Sequence, residues 1–126
     1  MAQFSSGATQ TIGEFAASLG LPPEPAADGS YNFVFTRSGT LSLAPSDDGR
    51  RVLICLARVP YRSDVVLEKR FLDLAGMDPT TSTFVHAAMA SDGNLVLAID
   101  LEDGRFDRHS LDLALRRLID LHDSVS

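Results

Sequence analysis

The chain has 126 residues, 44% of them hydrophobic, a single cysteine and a formal net charge of −6. That is one domain with enough apolar surface for its own core, and one cysteine excludes a disulfide framework or a thiolate metal cluster. The acidic balance argues against nucleic acid or an anionic membrane as the main partner.

No stretch approaches the roughly 20 apolar residues that span a bilayer, so no membrane insertion is expected. The first residues show no basic region leading into an apolar run, so no signal peptide is expected and the chain is assigned to the cytoplasm. Residues 1–8 are small and polar and are expected to be disordered, with 9–126 as a single domain. Thr11 and Glu14 stand at capping-box spacing. Ile12, Phe15, Ala16 and Leu19 then recur at helical spacing, and Gly20 is placed to end a first helix. Pro22, Pro23 and Pro25 cannot continue it and form a stiff, extended connection.

Three strands with tight turns follow. In Tyr31–Thr36, Tyr31, Phe33 and Phe35 fall on one face and Asn32, Val34 and Thr36 on the other. Thr40–Leu43 is a short strand ended by Pro45, and Arg51–Val59 is an apolar run long enough for a central strand, stopped by Pro60. Asp28-Gly29, Ser38-Gly39 and Asp48-Gly49 supply the turns. Cys55, within the third run, reads as a small buried residue. Ser63 is a suitable N-cap for a second helix, with Val66, Leu67, Phe71 and Leu74 on one face and Gly76 at its end.

The last third is a hairpin and a helix. Leu95, Leu97, Ile99 and Leu101 share one face of a strand that follows the Asp92-Gly93 turn. Its partner, Thr83–Met89, is apolar on both faces, which suits a strand covered on both sides and is a first sign of association. Asp107 caps a final helix with a stripe of Leu111, Ala114, Leu115, Leu118 and Ile119. Asp112 and Arg116 are spaced as an i,i+4 pair, and Arg117 is read as solvated. The expected order is α-β-β-β-α-β-β-α: an α+β two-layer sandwich with helices packed on a five-stranded, mostly antiparallel sheet.

Chemistry is hard to place on this pattern. His86 sits in an apolar strand and reads as a satisfied interior or interface histidine. His109 and His122 flank the last helix without a second histidine at i+4, so neither a metal nor a structural role is assigned to them. No serine occupies a Gly-x-Ser-x-Gly elbow, and the glycines are single turn residues rather than a phosphate cradle. No enzyme and no cofactor is expected.

The patterns in this order resemble the class I chaperones of type III secretion, the Tir-chaperone family. The resemblance runs from about Ile12 to His122. It rests on the Phe15/Leu19 helix running into Gly20-Leu21-Pro22-Pro23, on Asp28-Gly29 before Tyr31–Phe35, and on Asp48-Gly49 before Val52–Leu56 with Val59-Pro60 closing that strand. It rests further on Asp92-Gly93 before Leu95–Leu97, and on Phe106-Asp107 opening the last helix. Ala75–Thr81 departs from the family pattern.

The resemblance implies a cytoplasmic homodimer that holds the N-terminal segment of one or a few secreted effectors extended and soluble. It also admits a contact with the secretion-machine ATPase. It places effector binding at Ile12, Phe15, Leu19, Phe33, Val34 and Phe35, with core packing as the competing reading for Phe15, Leu19 and Phe33. It places the dimer interface at Val66, Phe71, Leu74, Phe84, His86 and Met89. The competing function is a small α+β regulatory or ligand-binding domain.

Overall fold

Alternating apolar and polar side chains build the sheet as expected, except at one edge. The computed structural model describes residues 3–60, 62 and 64–125. Strands β1 (Tyr31–Phe35), β2 (Gly39–Pro45) and β3 (Arg51–Arg58) form an antiparallel meander. Strands β4 (Gly76–Asp78), β5 (Thr83–Met89) and β6 (Leu95–Glu102) form a second. The two meet where β3 pairs antiparallel with β6, from Arg51 opposite Glu102 to Arg58 opposite Leu95.

The sheet thus has six strands in the order β1-β2-β3-β6-β5-β4, one more than expected. The added strand, β4, lies in the segment read as the end of the second helix. Three residues are too few to show an alternation, and Gly76 and Pro79 both signal a turn. Gly76, at φ 140°, opens the strand instead of ending the helix.

Helices α1 (Ser6–Ser18), α2 (Val65–Leu72) and α3 (Arg108–Val125) pack on one face of the sheet. Helix α1 starts five residues before Thr11, within the segment expected to be disordered. Its N-cap is Ser5, whose hydroxyl accepts from the Ala8 N–H and donates to Asp103 Oδ1 at 2.7 Å. The anchor is 98 residues away, so no local pattern announces it. Thr11 is therefore a buried mid-helix residue rather than a cap. Gly20, at φ 71°, ends the helix as expected: its N–H reaches the Ala17 carbonyl and the Leu21 N–H reaches that of Ala16.

Helix α2 is capped by Asp64, which accepts from the Val66 N–H at 2.8 Å. The expected cap, Ser63, lies outside the described residues. Asp107 caps α3 as expected, accepting from the Ser110 N–H at 2.7 Å.

The core is one cluster between the helices and the sheet. Leu41, Leu43, Ile54, Leu56, Leu97 and Ile99 supply its floor. Ile12 and Phe15 of α1, Phe71 of α2, and Leu111 and Leu118 of α3 supply its roof. Each fully buried aliphatic or phenyl group contributes about 1.5–3 kcal/mol, which makes this cluster the main source of stability.

Four expectations about single side chains change. Leu115 is only half-buried, and Leu118 takes the central place on α3. Asp112 pairs with Arg108 at 3.5 Å, not with Arg116. Cys55 sits on the sheet face away from the helices, and its partial burial there raises the thiol pKa. His122 is buried, with Nε2–H donating to the Leu56 carbonyl at 2.9 Å and its ring 5.3 Å from that of Phe71.

Candidate partner-binding surfaces

Strand alternation divides the surface. With all three helices on one face, the other face is lined by the residues that alternate with the core. One row across it runs Asn32, Ser42, Cys55, Ala98 and His86; the next runs Val34, Thr40, Ala57, Val96 and Ala88. Apart from Asn32 and His86 these are small groups or valines, Arg51 pairs with Asp100 at 2.9 Å on the same face, and the face becomes bulkier toward β4 and β5. There Met77 lies opposite Phe84, and the two are 69% and 46% exposed, too open for core residues of a lone chain. The Phe84 ring also packs against the His86 ring, centroids 4.8 Å apart.

The expected dimer set divides between two faces. Phe84 and His86 lie on the open sheet face. Met89, of opposite parity, lies on the helix side at the exposed end of β5. On α2, Val66 is exposed and Leu74 is half-buried. Phe71 is fully buried against His122 and belongs to the core of its own chain. The i,i+4 and i,i+3 spacing that singled out Phe71 was a true apolar stripe, but the chain covers it itself.

The expected effector set divides in the same way. Ile12, Phe15 and Phe33 are interior, and Phe15 meets Phe33 edge-on at 5.2 Å, fixing α1 over β1. Phe35 is half-buried and Leu19 is exposed at the end of α1, next to exposed Leu21. Val34 is 78% exposed on the opposite sheet face from Phe33, so it is free to meet another chain. β1 is also an edge strand, with β2 as its only neighbour in the sheet among the described residues. Its outer backbone N–H and C=O groups are positioned to pair with an added strand.

A third feature was not foreseen. A cleft of about 630 Å³ lies between α3, the end of β6 and the β4–β5 connection. Half-buried Leu101 is open to it, with Ile99 and Ala114 buried beneath. On its wall Arg117 is clamped by Asp78: Nη2 to Oδ1 at 2.9 Å, and Nε to Oδ1 and Oδ2 at 3.2 and 3.1 Å. The Thr81 hydroxyl also donates to Asp78, at 2.7 Å. Burial works to raise the Asp78 pKa, but the bonds from Arg117 and Thr81 and the Arg117 charge outweigh it. The carboxyl is held below the usual range. The sequence signal was the separation of a solvated-looking Arg117 from a turn-like Asp78, which is invisible until β4 is paired.

Among the described residues no group of three His, Cys, Asp or Glu side chains is placed to hold a metal ion. No described helix is long and apolar enough to cross a membrane.

Together, a sheet covered by helices on one face, a mixed uncovered face and an open edge strand define an α+β protein. The fold is that of chains solved in type III secretion complexes. A chain from the Yersinia pestis type III secretion chaperone SycH in complex with a stable fragment of YscM2 superposes with a TM-score of 0.69 at 19% identity, covering 94% of this chain and 99% of that one. The ExsC–ExsE complex gives 0.68 at 16%, covering 95% and 90%. The heterodimeric ExoU–SpcU complex from the Pseudomonas aeruginosa type III secretion system gives 0.63 at 20%, covering 90% and 93%. No protein-family model matches the chain, and no curated protein matches it in sequence.

Proposed function

We propose that the chain is a class I type III secretion chaperone. It binds the N-terminal segment of a secreted effector in the bacterial cytoplasm and keeps it soluble and non-globular for export. The observation that carries this reading is the shared fold over nearly the whole length of chains solved in chaperone complexes. The surface supports it. An extended segment gains backbone hydrogen bonds along the open edge of β1, and its apolar side chains meet Leu19, Val34 and the exposed part of Phe35. Ile12, Phe15 and Phe33 act from beneath, by holding α1 in place.

In this reading the protein works as a homodimer through Val66, Leu74, Phe84, His86 and Met89, and Phe71 contributes only by supporting α2. It performs no catalysis and uses no cofactor, and a contact with the secretion-machine ATPase belongs to the same proposal. Co-expression with the protein encoded beside it tests the reading. The expected result is a soluble complex with two copies of this chain by light scattering. A stable monomer at micromolar concentration that captures no neighbour-encoded protein overturns it. The competing ligand-binding reading has one observation in its favour, the cleft beside α3. It gains if a small molecule, but no protein, co-purifies.

A further inference from the structure

The cleft beside α3 combines an apolar floor with a rim rich in donors. Arg105 and Arg116 border it, are exposed, and take part in no ion pair among the described residues. Arg117 spends Nε and Nη2 on Asp78, which fixes its guanidinium plane and leaves Nη1 for another acceptor. The two other carboxylates on the rim are Asp107, occupied in capping α3, and Asp120. Leu113, 53% exposed, stands on the same rim and gives an incoming apolar group something to cover.

We propose that this cleft receives an acidic side chain flanked by apolar residues from an extended polypeptide partner, and so sets the register of that partner on the chain. The inference rests on the chaperone reading and adds a selectivity to it. On a chain of net charge −6, an acidic residue in a bound segment is repelled over much of the surface. Here Arg105, Arg116 and the remaining Nη1 of Arg117 offer it donors, and the residues beside it reach Leu101 and Leu113. The volume, about 630 Å³, is that of an ordinary ligand site and exceeds what one carboxylate needs, so apolar neighbours enter with it.

The test uses the blocked peptide acetyl-Leu-Glu-Leu-Leu-amide, its Gln counterpart, and octanoate, each titrated into the whole protein and followed by amide chemical shifts. The Glu peptide is expected to shift Thr81, Leu113 and Arg117 and to bind at least tenfold more tightly than the Gln peptide at low salt. The double variant Arg105→Gln/Arg116→Gln is expected to remove that difference while leaving the melting temperature unchanged. Equal binding of the two peptides, shifts confined to other surfaces, or binding by octanoate without the Glu peptide overturns the proposal. Co-expression separates this from the parent reading. If the wild-type chain captures its neighbour-encoded partner and the double variant does so equally well, the cleft assignment fails and the chaperone reading stands. If the wild-type chain captures nothing, the parent reading fails whatever the peptides do.

Discussion

His122 Nε2 and the Leu56 carbonyl lie 2.9 Å apart, joining the last helix to the centre of the sheet across 66 residues. The ring is buried, and burial, the foremost cause, pushes its pKa below the ordinary histidine value. The bond to Leu56 works the other way, Arg58 lowers it further, and Asp123 raises it. The unfolded chain therefore binds the His122 proton more readily than the folded one. Stability from this group is complete above the unfolded value, about 6.5, and is lost as the pH falls through the lower folded value. Urea unfolding at pH 7.5 and 5.5 is expected to show a fall in stability that His122→Gln reduces. A His122→Gln variant with the same pH slope as wild type contradicts it. His122→Ala is expected to destabilise at every pH, because it removes both the bond and the contact with Phe71.

Arg117→Leu leaves Asp78 buried without its cation. The Arg117 side chain is 28% exposed and that of Asp78 only 5%, so the loss falls mainly on the acid. The expected cost is about 2–3 kcal/mol, below the range for fully buried pairs. Asp78→Asn/Arg117→Leu is expected to recover part of it, since the stranded charge is gone. Chemical denaturation of the three variants reads this directly, and a double variant weaker than Arg117→Leu alone contradicts it.

Gly39, at φ 111°, opens β2 where a Cβ would run into the Ala57 carbonyl oxygen. Gly39→Ala is expected to cost roughly 3 kcal/mol from backbone strain and forced displacement. Gly29, at φ 87°, faces open space, and Gly29→Ala is expected to cost only about 1 kcal/mol. Equal melting temperatures for the two variants contradict the contrast.

Neighbouring residues on β1 give opposite expectations. Phe33→Asp puts a charge into the core and is expected to unfold the chain. Val34→Asp leaves the melting temperature within a degree or two and is expected to abolish partner capture on co-expression. Capture that survives Val34→Asp removes the β1 edge from the binding surface. Phe84→Asp provides the matching test on the open face, where dimerisation is the property expected to be lost.

Five of six strands and all three helices were legible in the sequence because each carries a period long enough to read. β6 alternates over eight residues, and α3 keeps its stripe for five turns. β4 was not legible, because three residues beside a glycine and a proline look like a turn until a partner strand is present. The start of α1 was hidden for a related reason: its cap is steadied by Asp103, far along the chain. The candidate surfaces were harder. An apolar residue is equally apolar in a core and in a groove, so Phe33 and Val34 were separable only once the sheet showed which face the helices cover. Arg117 looked solvated because its partner acid belongs to the strand that went unread.

The pairing of β3 with β6 also sets a timetable. The end of β3 at Arg58 and the start of β6 at Leu95 are 95 − 58 = 37 residues apart. At about 5–20 residues per second, a ribosome needs about 2–7 seconds to supply that stretch. Throughout that interval the first meander carries Ile54 and Leu56 on a strand with one unpaired edge, and α3 does not yet exist to cover them. Until translation ends, the newborn chain exposes a sheet edge and an apolar face that only its last third can cover.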